Sequence, residues 1–453
     1  MRYEFRRIGD GGQAVLEETP RAVTPFGGLV VMVEWLRQLG VVEAVRERLP
    51  FRYRSNHQIA PEHTLLAFWL GVLTGARRFA HLQMLRCDRA LAQLCGVPGF
   101  PGDDTVRNFF SRFGPAEVAQ FFPAMTRWLF EQLAPRAGVL DLDSTLLQRF
   151  GRQEGAERGY NPGRRNGRAH RPLLAFLGSP VLVVHGWLRA GTAADHRGAV
   201  EFLTEALQIV PARWTISGVR ADGGFFDQKL LEFLESRRLQ YVVVVRRQAT
   251  IQRHALGITT WTAVDRHSAV GEFSLQLPAW TAARRFIVVR LRLPDPCEQR
   301  LLAVPGYEYR VFVTNRTEPA EWIWHHYDQR AAIEPRFSEL KTDLAADDFC
   351  LRKFFPTEAA FLSVVLAFNL LATLQGLHAP ALAAQARPAT LRHSLFLCGA
   401  VAGRSGHKFV LFLSSAWGGL AARKPLLDKI AAAAWPTSPK LNLLPFTPTT
   451  APP

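Results

Sequence analysis

GVLDLDST, residues 138–145, places two carboxylates in an otherwise apolar run. Side chains alternate across a β-strand, so Asp141 and Asp143 share one face while Leu140 and Leu142 point to the other. A carboxylate in a sheet costs free energy unless a cation meets it. The run therefore predicts either a strand with a functional charged face or a strand whose aspartates are merely solvated.

Short branched runs and amphipathic stretches surround this strand and predict an α/β fold. The pattern indicates further strands and then an alternation of helices and strands, which is typical of a mixed sheet flanked by helices. The predicted elements after Gly138–Thr145 are strands Leu173–Leu177 and Pro180–Leu188, helix Arg197–Ile209, strand Thr215–Ala221, helix Gln228–Arg237 and strand Tyr241–Arg246.

The rest of the chain divides around this core. Residues 1–136 predict a helical N-terminal DNA-binding domain, in which the helix after Pro101 is either a groove reader or an ordinary capped helix. The core would occupy residues 137–247 and 307–375, interrupted by a β-rich insertion at 248–306 that lacks helical periodicity. One long helix is predicted from Pro319 to Leu344. Residues 376–453 predict a helical C-terminal region with a disordered tail.

Composition predicts a folded protein with a polyanionic partner. Of the 453 residues, 48% are apolar, and the formal net charge is +16. All but seven of the 55 basic residues are arginines, which suit bidentate phosphate contacts, although a GC-rich genome explains part of that bias. Five scattered cysteines exclude a disulfide framework and a cysteine zinc site. We expect a cytoplasmic, nucleoid-associated protein without a secretory signal or membrane span, because the longest apolar run falls short of about 20 residues.

Two further segments carry acids. RADGGF, residues 220–225, ends an apolar strand in Asp222 and two glycines, which is either a ligand-binding strand end or a plain turn. YDQRAAIEPRFSELK, residues 327–341, is more specific. On a helix, Tyr327, Arg330, Glu334 and Lys341 would fall within a sector of about 60°. That face is either suited to a metal beside a phosphodiester or a solvated charged surface.

These three segments together resemble bacterial insertion-sequence transposases of the DDE type, in the branch with the signature Y-x2-R-x3-E-x6-K. The resemblance implies a ribonuclease-H-like core with Asp143, Asp222 and Glu334 as catalytic and metal-binding acids. It implies that Tyr327, Arg330 and Lys341 bind DNA. Asp141 shares the strand face but not the motif position, so it stays a backup candidate. Pro335 predicts either a kink or a new helical segment at the third acid.

The chemistry implied is two-metal phosphodiester cleavage and transesterification. Hard oxygen ligands favour two Mg²⁺ or Mn²⁺ ions over zinc. The partners would be the inverted-repeat ends of the element and its target, both double-stranded DNA. The resemblance also implies a homodimer, because two element ends must be cut and joined together. Members of the branch can form a DNA hairpin with an aromatic residue on a flipped base. Trp261 and Trp280 are candidates for that role, although a core position is the commoner one.

A basic loop follows the first strand and would bind the DNA backbone. It contains Arg164, Arg165 and Arg168 among other arginines, and we expect it to be flexible without DNA. His325 and His326 lie near the signature and are either phosphate contacts or surface residues. No Gly-x-Ser-x-Gly motif supports a nucleophilic hydrolase. The alternatives are a catalytically silent DNA-binding relative and a nuclease of the same fold without strand transfer.

Overall fold

The computed structural model describes residues 2–53, 58–159, 161, 166–178, 181–293, 306–378, 386–416 and 423–428. Its N-terminal part is mainly helical, as predicted. Local signals set the helix ends: α3 begins at a proline, whose missing N–H costs nothing in the first turn, and ends at Gly75 with a φ of 101°. The elements are β1 (Arg2–Arg6), β2 (Gln13–Glu17), β3 (Val23–Thr24), α1 (Val30–Gln38), α2 (Val41–Arg48), α3 (Pro61–Thr74), α4 (Leu82–Cys87), α5 (Arg89–Leu94), α6 (Asp103–Phe110) and α7 (Pro115–Gln132).

The middle of the chain forms the central sheet. Its elements are β4 (Ala137–Ser144), β5 (Leu147–Arg149), β6 (Glu157–Arg158), β7 (Arg168–His170), β8 (Leu173–Leu177), β9 (Leu182–Trp187), α8 (Ala199–Ile209), β10 (Thr215–Ala221), α9 (Gln228–Ser236) and β11 (Gln240–Val244). The strand order is β9-β8-β4-β10-β11, with β10 parallel to β4 and β11 and with β8 and β9 antiparallel. This order and these directions are those of a ribonuclease-H-like core, which confirms the predicted fold class.

The insertion extends this sheet. It contributes α10 (Ala249–Leu256), β12 (Thr262–Ala263), β13 (Ser268–Leu275) and β14 (Arg284–Arg292), and β15 (Tyr307–Thr314) returns the chain to the core. Strand β15 lies antiparallel to both β11 and β14, so the nine strands form one sheet. The β-rich character was predicted. Helix α10 was not, because it buries only Ile251 and Ala255 and so leaves almost no helical apolar pattern.

The predicted helix from Pro319 to Leu344 is broken into four segments. Helix α11 (Ala320–Asp328) passes into a 3-10 segment (Gln329–Ile333), then α12 (Glu334–Ser338), then a π-helical turn (Glu339–Asp343). Pro335 lies in the first turn of α12, where its missing N–H does not interrupt a helical hydrogen bond. A new helical segment therefore begins at the third acid, which was one of the two predicted possibilities.

Helix α13 (Phe354–His378) runs through the core. The prediction that the longest apolar run is too short for a membrane span was wrong, because the segment Phe354–Gly376 is long and apolar enough to cross one; 89% of its apolar window is buried inside the protein, as in the core helix of a globular fold. It packs against α3, α7 and the edge strand β9. Asn369 of α13 binds both backbone groups of Val183 on that edge, accepting from N at 2.9 Å and donating to O at 2.7 Å. These contacts join the N-terminal helices and the sheet in one hydrophobic core.

The C-terminal region differs from the helical prediction. After α14 (Pro388–Leu391), strands β16 (Ala400–Ser405) and β17 (Lys408–Leu413) form a hairpin, and β16 pairs with β3 near the N-terminus. The hairpin turns at Gly406, which has a φ of 60° and favours a tight two-residue connection. The predicted disordered tail beyond Pro436 lies outside the described residues.

Candidate active site

The first predicted acid lies at the carboxyl end of β4. Asp143 Oδ1 accepts a hydrogen bond from the backbone N of Ser144 at 2.7 Å. Its Oδ2 lies 3.0 Å from Arg330 Nη2, and the Asp143 side chain is 16% exposed. The carboxylate is thus largely buried and in contact with a cation from the signature segment.

The second acid lies beside the first. The parallel pairing of β4 with β10 extends to Leu142 opposite Ala221, so Asp143 and Asp222 follow at corresponding strand ends. Asp222 Oδ1 accepts from the backbone N of Gly224 at 2.8 Å, which starts the turn Gly223–Phe225. Two apolar strands that pair in parallel and end in aspartates bring both carboxylates to one edge of the sheet.

The third acid lines the same cavity as the second. Glu334, the first residue of α12, is exposed and lines a cavity of about 510 Å³. Asp222, Tyr327 and Arg330 line the same cavity. The structure therefore brings together the second and third acids, the tyrosine and the arginine, and Arg330 links this cavity to Asp143.

Burial dominates the electrostatics of the site. Loss of solvent raises the pKa of Asp143 to about 6, because Arg330 opposes the shift only in part while the charges of Asp222 and Asp195 add to it. Burial also raises the pKa of Asp222. The pKa of Tyr327 rises to about 12 for the same reason, so its phenol stays protonated and can donate a hydrogen bond. Arg330 is thus the cation with the largest effect on both carboxylates, Asp143 and Asp222, and it does not offset their loss of solvent.

Two partly buried carboxylates at adjacent strand ends suit a divalent cation. Carboxylate oxygens are the hard ligands that Mg²⁺ and Mn²⁺ prefer. Among the residues that the structure describes, however, no three acid, histidine or cysteine side chains are grouped closely enough to hold a metal ion. Asp143 and Asp222 fit such an ion in chemistry and charge. Glu334 and Asp222 line one cavity, and Arg330, which lines it too, contacts Asp143.

A fourth carboxylate, Asp195, was missed by the sequence reasoning. A Cβ added at Gly224 would lie 2.4 Å from Asp195 Oδ2 and 2.8 Å from Asp222 Oδ1, so the two carboxylates approach each other there. Asp195 accepts from Arg171 at 3.0 and 2.8 Å and from Arg189 at 3.1 Å. Arg171 Nε also lies 3.2 Å from Ser144 Oγ. No motif surrounds Asp195, so no local signal marked it.

Asp141, the backup candidate, is held in a buried ion pair. Arg220 Nε and Nη2 donate to its two oxygens at 2.6 and 2.7 Å, and the two residues are 7% and 4% exposed, respectively. Arg220 also donates to the backbone O of His326 in α11. The pair therefore ties β4 and β10 to the signature segment. Arg220 stands in the same motif as Asp222 and could have been recognised as the cation that Asp141 requires.

The other signature residues surround the first strand end. Lys341 Nζ donates to Thr145 Oγ1 at 3.1 Å, just beyond Asp143. The Tyr327 ring packs against Phe312 with centroids 4.8 Å apart. Tyr327, Arg330 and Glu334 line one cavity although the segment that carries them changes helical type three times.

The basic loop contains short strands that were not predicted from the sequence. Strands β5, β6 and β7 form a small sheet within it. Arg168 on β7 is exposed, whereas Arg149 is buried and donates to His170 Nδ1 at 2.9 Å. Arg149 is therefore a structural residue. Arg164 and Arg165 lie outside the described residues.

The aromatic and histidine candidates occupy different environments. Trp280 is buried and stacks on Phe286 at 5.8 Å, as the core alternative predicted. Trp261 is half-buried, with the Arg290 guanidinium 4.3 Å from its ring centroid. His325 is exposed, and burial lowers the pKa of His326 to about 4.

The fold and the site define the class: a ribonuclease-H-like protein with carboxylates at the adjacent ends of two central parallel strands. Residues 8–434 match the family model of the transposase DDE domain group 1, and the chain belongs to this family. The prediction of a DDE transposase is confirmed.

Other known proteins add little to the family assignment. No curated protein matches the chain. Among solved structures, the chain is similar to the piggyBac transposase in a synaptic complex with hairpin DNA. The identity is 13%, the match covers 93% of this chain and 89% of that chain, and the TM-score is 0.42.

Proposed function

We propose that this protein cleaves DNA at the ends of an insertion sequence and transfers the freed strands into target DNA, with divalent metal ions as cofactors. The observation that carries the proposal is the placement of Asp143 and Asp222 at neighbouring strand ends, with Glu334 lining the same cavity as Asp222. Catalytic acids of this kind need to converge from distant parts of the chain, and these three come from separate elements.

The three acids would hold two Mg²⁺ or Mn²⁺ ions. Such ions, when bound, activate the attacking oxygen and stabilise the leaving oxygen of an in-line displacement. Arg330 and Lys341 would fix phosphate oxygens, because both cations lie within reach of the first strand end. The protonated Tyr327 phenol would add a neutral hydrogen-bond donor in the same cavity.

Double-stranded DNA is the proposed partner, first as the inverted-repeat ends of the element and then as target. The net charge of +16 and the exposed Arg168 near the first strand support this partner. We further propose that a homodimer pairs the two ends and that the protein acts in the cytoplasm, on the nucleoid. The DNA beside the gene gives an independent check: flanking inverted repeats and short target duplications would support transposition.

A nicking and joining assay with Mn²⁺ tests the proposal. The substrate is a labelled duplex of the DNA that adjoins the gene. Asp143→Asn, Asp222→Asn and Glu334→Gln should each abolish nicking while DNA binding is retained. Glu308→Gln is the matched control, since Glu308 lines the same cavity from β15 but lies outside the proposed acid set. Full activity in an acid variant would remove that residue from the site.

The same assay separates the alternatives. Nicked ends that never join to target DNA would identify a nuclease without strand transfer. Binding without any nicking would identify a silent DNA-binding protein. The presence of all three acids argues against that second outcome.

A further inference from the structure

Arg330 occupies an unusual position for a residue expected to bind DNA. It is 8% exposed, and its Nη2 lies 3.0 Å from Asp143 Oδ2 and 3.0 Å from the backbone O of Leu142. The guanidinium therefore covers an oxygen of the carboxylate that would bind a metal. A guanidinium and a divalent ion cannot occupy one carboxylate oxygen together without repulsion.

The Arg330 guanidinium has hydrogen-bond partners for only some of its donors. Arg330 Nε is buried and makes no hydrogen bond within the described part of the chain. An unpartnered buried donor costs free energy, and the planar fork of arginine is best satisfied by a bidentate contact with a carboxylate or a phosphate. A phosphate in the adjoining cavity could supply a second acceptor, and Arg330 lines that cavity.

The backbone that carries Arg330 changes from one helical type to another. Arg330 lies in the 3-10 segment Gln329–Ile333, and Glu334 follows at its end. Segments of this kind within a longer helix have weaker hydrogen-bond geometry and often mark functional hinges. A small rearrangement there would move Arg330 and Glu334 together, and both line the cavity beside Asp222.

We propose that Arg330 is an internal counter-ion that blocks the metal-binding face of Asp143 until a DNA phosphate draws it away. Metal and DNA then bind cooperatively, and the free protein is protected from taking up metal before its substrate. This inference rests on the proposed function, and it assigns Arg330 a regulatory contact with the first acid in addition to a phosphate contact.

Metal titration of the purified full-length protein tests the inference. Mn²⁺ affinity is measured by isothermal titration calorimetry and by the electron paramagnetic resonance signal of free Mn²⁺, with and without a duplex of the DNA that adjoins the gene. Arg330→Gln should raise the DNA-free Mn²⁺ affinity about tenfold or more, in the range of typical coupling between sites. The DNA-free value is diagnostic, because phosphate ligands alone make metal binding tighter in the complex.

Arg310→Gln is the matched control. Arg310 is exposed, lines the same cavity and pairs with Glu308 at 3.5 Å, so its removal changes the charge of the cavity by the same amount. We expect its effect on Mn²⁺ affinity to stay below about threefold, because an exposed charge is screened by solvent. Arg330→Met serves as a second variant if the glutamine variant unfolds, and circular dichroism checks both.

Failure of the counter-ion inference can be distinguished from failure of the proposed function. If wild-type protein nicks DNA with Mn²⁺ but Arg330→Gln and Arg330→Met bind the ion no more tightly than wild type, the counter-ion inference is overturned and the proposed function stands. An equal gain from Arg310→Gln would overturn it too, since the effect would then be general. If wild-type protein neither binds Mn²⁺ with DNA nor nicks, the proposed function itself fails.

Discussion

Asp143→Asn should stabilise the metal-free protein although it removes a proposed catalytic group. The ionised carboxylate is largely buried and lies close to other acids, so burial raises its pKa from 3.8 to about 6 despite the contact with Arg330. Asparagine keeps an acceptor for the Ser144 N–H and carries no charge. The variant therefore resembles the protonated wild type, and Arg330 keeps its hydrogen bond to Leu142 O and the attraction of Asp222.

The size of the effect follows from the pKa shift. A shift of roughly two units corresponds to about 3 kcal/mol of unfolding free energy, at about 1.4 kcal/mol per unit. Because the folded pKa of this acid lies above the unfolded one, ionisation penalises the folded state. The penalty is complete above pH about 6 and vanishes below pH about 4, where the group is protonated in both states. The gain from Asp143→Asn should follow the same profile.

Urea unfolding with a chelator present measures this gain at pH 8 and at pH 4. Asp141→Asn is the matched control two residues away on the same strand. It should destabilise the protein by about 3–5 kcal/mol, because Arg220 would become a buried charge without its partner. If Asp143→Asn proves neutral or destabilising at pH 8, or if its gain is the same at both pH values, the electrostatic reasoning about the strand ends is wrong.

Three other substitutions test separate parts of the structure. Gly224→Ala should reduce the nicking rate at least tenfold, because its Cβ would lie 2.4 Å from a carboxylate oxygen. Gly223→Ala is the control and should nick DNA at close to the wild-type rate, because the nearest contact of its Cβ would be at 3.5 Å. Glu358→Gln should raise unfolding free energy by about 3 kcal/mol above pH 7 and leave it unchanged below pH 4.5 in urea titrations, because burial raises the pKa of this acid to about 7. Arg168→Gln should weaken DNA binding uniformly across sequences and lower the salt slope of log affinity by about 1, measured by fluorescence anisotropy; an unchanged slope would remove Arg168 from the interface.

The local sequence pattern predicted most strands of the central sheet. Strands Leu173–Leu177 and Thr215–Ala221 lie where the sequence predicts them, because branched apolar runs bounded by turn residues have few alternatives. The positions of Asp143 and Asp222 followed from the same logic, since each apolar strand ends at its acid. The sequence alone therefore predicted which two strands end in an acid.

Long-range packing decided the rest. The partner of Asp141, the approach of Asp195 to Asp222 and the contact of Arg330 with Asp143 join residues far apart in the chain. Periodicity reports which face of an element is apolar, but it does not report which distant side chain meets that face. The break at Pro335 was one of two predicted possibilities, but the 3-10 segment before it and the π-helical turn after it were not predicted, because apolar periodicity does not distinguish these helical types.

Sequence alone thus determined the class of fold, the family and the residues that carry charge at the strand ends, since these depend on local order along the chain. Tertiary structure alone decided which carboxylates are neutralised and which cation covers the first acid. Those outcomes depend on burial and on distances between separate elements, and electrostatic free energy is determined by those two quantities.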